Sequence, residues 1–586
     1  MIRTISAKKR LFSVAIDLFL VLTLANGLTR LCHFNRGMSY PSLLLPSLSS
    51  GVSTNAAVSK RSALFSTSGS ERIESDILVL GSGPAARAIA SLLSNSKTSS
   101  WNVCLADQTY DRSWVPNYGV WEDEWEAVSK MFNEYAGMNI LNCINRQWGV
   151  TDCYFGGSFG IPIAERFRID RPYLRVDRDL LRQQLSPDTY KVIRANHIVK
   201  RTLAPNLHSP AASIIHDESG STVSLSDGTI VRAKVVIDCT GHESKLVQKE
   251  PRATDKPGYQ IAYGAMVTVE EDDPASPSIG PYDKEAMTLF DYRTDHFDDN
   301  NTQWLESAER APTFMYVMPI QGNKIFFEET SLVARPAISF KECKERCLKR
   351  LDHLGIKMID IEEEEYCYIP MGGALPAKDQ RIIGFGGATA TVHPSTGYHL
   401  CRMLASAPAV ASAIEKELGR PDFNPDRASA SAYNAVWFPE NVRQRNFAVF
   451  GGEFLMKQNV EGLRGFFSGF FSLPLNLWAG FLAGWPGLPN NICHESWQAR
   501  MWFGLSFITK LPRQVAIDMF LSIVTYSLLE PGFPLLQSVT PFFGEPQNYE
   551  YINKPKQVGD VAAKIEAKEM VLASKLKEPV PVAFDD

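Results

Sequence analysis

The chain has 586 residues and a formal net charge of −5, from 60 Lys and Arg against 65 Asp and Glu. This length exceeds one compact core and predicts two or three lobes. Phosphate neutralisation needs clustered Lys and Arg, so the acidic balance without a basic tract excludes a nucleic-acid partner. The closest cysteines, Cys343 and Cys347, have no His or second pair beside them, so we expect reduced thiols and no metal site.

The first residues have the layout of a targeting segment. Basic residues between Arg3 and Arg10 precede the apolar run Leu11 to Leu24, as in a secretory signal. Residues 28–70 then contain no Asp or Glu but many Ser, which is typical of transit peptides. We therefore expect residues 1–72 to direct import into a plastid wrapped by extra membranes. The alternative is a membrane anchor followed by a disordered linker.

A nucleotide-binding βαβ unit is predicted to follow. A strand over residues 76–80 leads into GSGPAA, a GxGxxA pattern, and then into a helix of small residues. Gly81 permits the tight turn, Gly83 lets a pyrophosphate approach the backbone, and Ala86 lets the helix pack on the strand. A second strand, 101–106, ends in Asp107, which is placed to accept ribose hydroxyls. The diphosphate is expected at the helix N-terminus.

Two later features favour FAD over NAD. Arg178, Leu181 and Leu185 give the spacing RxxLxxxL, which resembles the segment that lays an arginine near the flavin linker in glutathione-reductase-like flavoproteins. Residues 235–241, VVIDCTG, resemble the buried strand and glycine turn that return to the dinucleotide in that class. Each alone reads as an ordinary helix or core strand, and their order favours FAD.

Residues 259–335 predict a mixed sheet that roofs a substrate pocket. Strands are expected at 259–270, 287–293, 313–319 and 324–333, the last two joined by a turn at 321–323. Alternation along the last strand sends Glu328 and Glu329 to opposite faces, so only one of them can face the pocket. An apolar pocket raises the carboxyl pKa and keeps an acid protonated. The alternative is that both glutamates are hydrogen-bonded structural residues.

Three ordered motifs now resemble those of plant- and alga-type lycopene cyclases. Residues 114–121, WVPNYGVW, resemble a tryptophan-rich loop, and residues 326–332, FFEETSL, resemble an acidic signature. Residues 384–387, GFGG, with 393–398, HPSTGY, resemble a second glycine motif. Related flavoproteins usually place an Asp in that motif, and this chain does not. The resemblance extends from about residue 76 to about residue 480.

The resemblance implies cyclisation of lycopene without net redox change, supported by reduced FAD with NADPH as electron source. Protonation of the terminal double bond gives a tertiary cation, the neighbouring double bond attacks it, and proton loss completes the ring. The implied acid is Glu328, with Glu329 as its backup or supporting partner. The implied pocket and cofactor residues are Trp121, Phe326, Phe327, His393 and Tyr398 for the pocket, and Gly386 and Gly387 for FAD.

The ring type follows from which proton leaves last. Ser395 within HPSTGY looks more like the β type, since ε-cyclases tend to have Ala there, whereas Phe327 and Phe385 look as much like the ε type. We predict a β-cyclase that converts lycopene through γ-carotene to β-carotene.

A carotene substrate requires access to a bilayer. Residues 465–493 contain no Lys, Arg, Asp or Glu and are rich in Phe, Leu and Trp. This length could span a membrane, but three prolines interrupt a straight helix. Half-inserted or interfacial helices are favoured, with a second apolar region at 519–529; the alternative is a buried helical lobe. The expected partners are carotenes, plastid membrane lipid and other carotenoid enzymes.

The fold class expected overall is α/β with α+β character: a glutathione-reductase-like FAD-binding Rossmann domain, an antiparallel substrate sheet and a C-terminal helical region. The predicted segments are 73–258 and 381–445 for FAD, 259–380 for substrate, 446–545 for the hydrophobic helices and 546–586 for a polar tail. Two rival functions remain. One is an FAD-dependent monooxygenase or prenyl-lipid reductase, and the other is a non-catalytic carotenoid carrier.

Overall fold

The computed structural model describes residues 71–160, 166–197, 214–250, 257–272, 277–297, 302–529 and 534–547. The predicted targeting segment up to residue 70 and the tail from 548 lie outside these residues. The strands are β1 (Arg72–Leu80), β2 (Val103–Ala106), β3 (Gly119–Trp121), β4 (Ile144–Trp148), β5 (Thr151–Tyr154), β6 (Phe167–Ile169), β7 (Tyr173–Val176), β8 (Lys191–Ile193), β9 (Ile214–Asp217), β10 (Gly220–Ser224), β11 (Ile230–Asp238), β12 (Gly258–Val269), β13 (Met287–Asp291), β14 (Thr313–Gln321), β15 (Lys324–Ser331), β16 (Met358–Met371) and β17 (Ile383–Gly384).

The helices of the described residues follow the same chain order. They are α1 (Pro84–Ser94), α2 (Glu122–Ala136), α3 (Arg178–Gln184), α4 (Thr302–Arg310), α5 (Phe340–His353), α6 (Leu400–Leu418), α7 (Pro425–Val436), α8 (Pro439–Leu455), α9 (Val460–Phe471), α10 (Leu475–Ala483), α11 (Trp497–Ile508), α12 (Arg513–Val524) and α13 (Pro534–Val539).

The first sheet is the predicted nucleotide-binding layer. Its parallel strands run in the order β8-β2-β1-β11, β17 adds a further parallel strand beside β11, and β10 and β9 continue antiparallel. Residues 77–80 of β1 are fully buried, as expected for a central parallel strand covered on both faces. The predicted strand, glycine turn and helix are confirmed, and the pairing of β11 with β17 brings residues 383–384 back to this sheet.

The second sheet has the order β16-β12-β15-β14-β13-β5-β6. It is antiparallel except for the β13–β5 pair, and it includes β5 and β6, which precede β11 in the chain. The predicted hairpin turn at residues 321–323 is confirmed by the β14–β15 pairing. A third, three-stranded sheet, β3-β7-β4, holds the end of the tryptophan-rich loop. The mixed α/β fold class is thereby confirmed.

The second sheet separates two apolar clusters. One face packs with α5, through residues such as Phe327, Met315 and Cys343. The other face packs with the C-terminal helices, through residues such as Phe326, Met318 and Phe467. Alternation along β15 therefore assigns each of its side chains to one of two different environments.

Helices α9 and α10 contain most of the aromatic stretch that was expected to meet a membrane. Phe466, Phe467, Phe470, Phe471 and Trp478 are all buried, and Phe467 stacks on Phe290 of β13 with ring centroids 4.8 Å apart. Within the described residues no helix taken singly is long and apolar enough to cross a bilayer, although α9 and α10 together meet that test with a bend of 119°. The half-inserted arrangement is not supported for these rings, because they fill the space between the sheet and α11.

Candidate active site

Both glycine turns meet at the carboxyl edge of the first sheet. Gly81 has φ +112°, and a Cβ there would lie 2.7 Å from the carbonyl oxygen of Cys239, so this turn requires glycine. A Cβ added at Gly83, by contrast, meets no atom within 4 Å. Gly386 packs so closely on the start of α1 that its Cβ would lie 2.6 Å from that of Ala85. The open space at Gly83, next to the N-terminus of α1, fits a phosphate group.

Asp107 lies at the same edge. It follows β2, and Ala106 before it accepts a hydrogen bond from the Gly81 N–H at 3.0 Å. The Asp107 Oδ1 atom accepts hydrogen bonds from the backbone and hydroxyl of Thr109. The structure thus brings together Gly81, Gly83, Ala86, Asp107, Gly386 and Gly387, as the sequence predicts.

Arg178 is turned toward the tryptophan-rich loop and the second sheet. Its guanidinium donates to the carbonyl of Val115 and, at 2.6 Å, to the carboxylate of Glu363. Leu181 and Leu185 of the RxxLxxxL spacing are fully buried in the core beneath α1. Contact of Arg178 with a cofactor stays a prediction.

The acidic strand presents Glu328 on the face toward the C-terminal helices. Phe326 and Thr330 lie on the same face and are 1% and 2% exposed, whereas Glu328 between them is only half-buried. Its Oε1 accepts a hydrogen bond from the Thr330 hydroxyl at 2.6 Å. Tyr316 stands directly opposite on β14. Glu328 is thus a partly accessible carboxyl beside buried side chains, and a general acid must be accessible to its substrate.

A second carboxyl, Glu365, meets Glu328 across one intervening strand. Glu328 on β15 and Glu365 on β16 are both cross-strand partners of Gly264 on β12. Their side chains hydrogen-bond over this glycine, where a Cβ would lie 2.8 Å from Glu365 Cγ and 2.6 Å from Phe326 Cζ. Burial, followed by the charge of Glu328, raises the pKa of Glu365 to about 8, and burial also raises the pKa of Glu328.

Asn117 of the tryptophan-rich loop fixes Glu365. Its backbone N–H and its side-chain Nδ2 both donate to Glu365 Oε2, each at 2.8 Å. The guanidinium of Arg175 on β7 donates to Asn117 Oδ1, which sets the orientation of the amide. The loop therefore attaches directly to the carboxyl pair.

Glu329 and Phe327 do not belong to this site, and both predictions need correction. Glu329 is fully buried on the α5 face, where Arg350 donates to its two oxygens at 2.8 and 2.9 Å. Phe327 is also fully buried on that face, with its ring centroid 6.4 Å from that of Tyr282. The two-residue alternation of the strand turns both side chains away from Glu328.

Trp121 and Tyr398 lie in an aromatic group next to the carboxyl pair. Trp121 packs edge-on against Tyr173 at 4.8 Å, and the Tyr173 and Tyr316 hydroxyls are 3.3 Å apart. Tyr398 packs against the apolar cluster that contains both Trp121 and Tyr173. The guanidinium of Arg171 lies 4.4 Å from the Trp121 ring centroid, so a cation already occupies the face of this ring. Tyr316 is the ring that adjoins Glu328 directly.

His393 supports the second glycine motif. It is 2% exposed, and its Nδ1 accepts hydrogen bonds from the N–H groups of Ser395 and Thr396. Burial lowers its pKa well below the usual range, so the ring is neutral. Its edge-to-face contact with Phe481, at 5.2 Å, joins the motif to α10.

The sequence analysis missed Glu365, Asn117, Gly264, Tyr316 and Thr330 as members of the site. The sequence pattern that points to Glu365 is the acidic run 362–365 inside a strand. Alternation along this strand places Glu363, Glu365 and Cys367 on one face. Asn117 was inside the tryptophan-rich motif but was given no role.

A separate surface cavity of about 410 Å³ lies at the far end of the β14–β15 hairpin. Charged residues line it, among them Arg146, Asp272, Lys284 and Glu285. This lining does not suit a hydrocarbon.

The family model described as lycopene cyclase protein matches residues 76–493. The chloroplastic lycopene beta cyclase of Nicotiana tabacum is 38% identical over 445 residues, covering 76% of this chain and 79% of the relative. That of Arabidopsis thaliana is 38% identical over 430 residues, with 73% and 77% covered. The chromoplastic capsanthin/capsorubin synthase of Citrus sinensis is 35% identical over 419 residues, with 71% and 75% covered. The chain belongs to the lycopene cyclase family.

Two solved structures show a distant likeness. A geranylgeranyl bacteriochlorophyll reductase-like protein from Thermoplasma acidophilum has a TM-score of 0.48 at 13% identity, covering 77% of this chain and 100% of that chain. The halogenase PltM in complex with phloroglucinol and FAD also has a TM-score of 0.48 at 13% identity, covering 79% of this chain and 94% of that chain.

Proposed function

We propose that this protein is a lycopene β-cyclase that converts the acyclic end groups of lycopene to β-ionone rings by acid-initiated isomerisation. The observation that supports the proposal best is the pair Glu328 and Glu365, in which burial and proximity keep a proton on a carboxyl beside an apolar aromatic wall. An alkene is a weak base, so its protonation requires an acid that stays protonated at neutral pH in a site without competing water.

Glu328 gives its proton to the terminal double bond, which leaves a tertiary carbocation. The neighbouring double bond attacks this cation and closes the six-membered ring. The Glu328 carboxylate then takes a proton from the carbon next to the ring junction, which produces the β-ring and restores the acid. No electron is gained or lost over the cycle. Tyr316, directly opposite Glu328, is the ring best placed to stabilise the cation.

The glycine turns fit FAD. Gly81, Gly83 and the N-terminus of α1 would hold the diphosphate, and Asp107 would bind the ribose. Gly386 and Gly387 lie in the segment that returns to the start of α1 and would complete the cofactor site. When bound in reduced form, FAD would supply negative charge near the cation, and NADPH would be the source of its electrons. This chain's own contribution is a backbone cradle in which Gly83 leaves an opening for a phosphate.

The β product is favoured because the relatives at 38% identity are named lycopene beta cyclases. An ε-ring would require proton loss from the other side of the same cation. Oxygenation or reduction, the chemistry of the rival FAD enzymes, would change the mass of the carotene, whereas cyclisation leaves it unchanged. A plastid location is proposed because these relatives are named chloroplastic.

The membrane-facing surface is proposed to lie on α11, α12 and the segment after α13. Trp502 and Leu505 on α11 are 64% and 40% exposed, Leu521 on α12 is 53% exposed, and Phe542 is 80% exposed. Lys510 and Arg513 are exposed at the α11–α12 turn, where they would meet anionic headgroups. Trp502→Glu with Phe542→Glu should reduce co-sedimentation with vesicles that contain an anionic phospholipid. Ile359→Glu, at a residue 64% exposed on β16, is the matched control and should not.

The cyclase proposal is tested by expression in lycopene-accumulating cells with chromatography and mass spectrometry of the pigments. A bicyclic product with β-rings and the mass of lycopene is expected. In heavy water each ring should contain one solvent deuterium, because the acid exchanges with solvent. A product of altered mass, or no cyclic product, would reject the proposal.

A further inference from the structure

Glu365 is held in a way that a purely structural carboxylate would not require. Two N–H groups of Asn117 converge on its Oε2, whereas Oε1 accepts from the Cys367 thiol, a weak donor at 3.8 Å, and so can hold or share a proton. The residue is 4% exposed, and it forms no ion pair with the residues that the structure describes. Its partner across Gly264 is the proposed acid itself.

We propose that Glu365 is the proton-sharing partner of Glu328: the two carboxyls hold one proton between them, and Glu365 thereby keeps Glu328 supplied with a proton at neutral pH. This inference rests on the cyclase function proposed above. Two carboxylates in contact cannot both ionise at low cost, so the first proton leaves the pair readily and the second is retained to higher pH. Glu365 acts through Glu328 and is therefore a positioning residue.

The proton balance closes within the pair. The shared proton leaves Glu328 for the less substituted carbon of the terminal double bond, which leaves the tertiary cation on the other carbon, and the pair becomes doubly negative beside this cation. Loss of the carbon-bound proton after ring closure returns one proton to the pair. The pair then holds the same single proton as before, and no other reactant is consumed.

Several titratable and charged groups surround the pair. They are Tyr316 on β14, Tyr118 in the tryptophan-rich loop, Cys367 and Glu363 on β16, Arg175 on β7 and Arg178 on α3, while Cys347 on α5 lies beyond the opposite face of the sheet. Burial raises the pKa of the Tyr316 and Tyr118 hydroxyls and of the Cys367 and Cys347 thiols above their usual ranges. The alkaline limb of the wild-type pH profile is therefore expected to come from the pair.

Glu365→Gln tests this role, because the glutamine carbonyl can still accept the hydrogen bonds from Asn117. The amide cannot ionise, so it cannot share an exchangeable acidic proton with Glu328. In the wild type the last proton of the pair is kept to about pH 8, whereas in the variant only burial raises the pKa of Glu328, so the site loses its last proton at lower pH. The alkaline limb of kcat should move down by about one pH unit or more, since like charges in contact shift a pKa by that order. Activity at pH 8 should fall roughly tenfold or more and be largely rescued near pH 5.5, with KM for lycopene little changed. The control Glu364→Gln, on the opposite face, should keep the wild-type limb.

A loss of activity by the same factor at every pH, or an unchanged limb, would show a merely structural role and overturn the inference. Carbon-13 NMR of glutamate-labelled wild type and Glu365→Gln provides a readout that needs no turnover. Wild type should show a carboxyl that titrates near pH 8, absent in the variant. If wild type forms no cyclic carotene yet shows this titration, the proposed function fails and the proton sharing stands; absence of the titration overturns the proton sharing itself.

Discussion

Glu328 and Glu365 stand on different strands, and each is the cross-strand partner of Gly264 on the strand between them. Neighbouring strands lie about 4.8 Å apart, so two carboxyls separated by a whole strand meet only if the middle residue has no side chain. The glycine thus determines the chemistry of the site without contributing a functional group to it.

Gly264→Ala should separate the pair. The added methyl would lie 2.8 Å from Glu365 Cγ and 2.6 Å from Phe326 Cζ, so both side chains must move. We expect cyclisation to fall by roughly tenfold or more, with a loss of about 1–3 kcal/mol in the free energy of unfolding. Gly504→Ala is the control, since a Cβ on this glycine of α11 meets nothing within 4 Å and alanine favours a helix. Normal activity of Gly264→Ala would contradict the role of contact within the pair.

Glu329 should matter for stability and not for proton transfer. Glu329→Gln leaves the buried Arg350 guanidinium without its counter-charge, at a cost of about 3 kcal/mol or more in the free energy of unfolding. The double variant Glu329→Met with Arg350→Met should recover part of that loss, because it removes both charges together. Thermal unfolding measures both effects. Recovery of stability without recovery of cyclisation in the double variant would show that Glu329 also has a chemical role.

Gly81 and Gly83 should fail in different ways when substituted. Gly83 has φ −68° and space around it, so Gly83→Val should fold normally but lower FAD affinity by roughly tenfold or more by filling the phosphate opening. Gly81→Ala forces a Cβ to 2.7 Å from a carbonyl oxygen at φ +112° and should destabilise the fold itself by about 2 kcal/mol. Flavin absorbance of purified protein and thermal unfolding separate the two. Full FAD binding by Gly83→Val would reject the proposed diphosphate position.

The raised pKa of Glu365 predicts how stability depends on pH. An ordinary glutamate ionises near pH 4.5 in the unfolded chain, whereas Glu365 keeps its proton to about pH 8 in the folded protein. Its contribution is therefore intact at low pH and declines as pH rises through this window, by about 1.4 kcal/mol per pH unit for one full proton. Glu365→Gln removes the decline. Its Tm should match wild type at pH 4.5 and exceed it increasingly toward pH 8; equal Tm values at pH 8 would contradict the raised pKa.

The local pattern of the sequence was sufficient for the first half of this site. Alternation in FFEETS correctly predicts that Glu328 and Glu329 face opposite ways, and the GxGxxA spacing correctly places Gly81, Gly83 and Ala86 at one turn. Both predictions depend only on residues within a few positions of each other, where backbone geometry determines side-chain direction.

The partner Glu365 could not be found in this way. Its contact with Glu328 depends on β12 lying between β15 and β16, and the pairing of distant strands leaves no mark in the local pattern. The aromatic run over α9 and α10 left the choice between interfacial helices and a buried lobe open for a related reason. A helix that is apolar all round is compatible with lipid or with a protein interior, and only the contact with Phe290 and its neighbours decides between them.

The most direct test of acid-initiated cyclisation by Glu328 is pigment analysis of lycopene-accumulating cells that express wild type or Glu328→Gln. The amide has nearly the shape of the acid but no proton to give. Wild type should convert lycopene to β-ring carotenes of the same mass, and Glu328→Gln should leave lycopene unconverted while the purified variant still binds FAD. Ring formation by Glu328→Gln at the wild-type level would contradict the account.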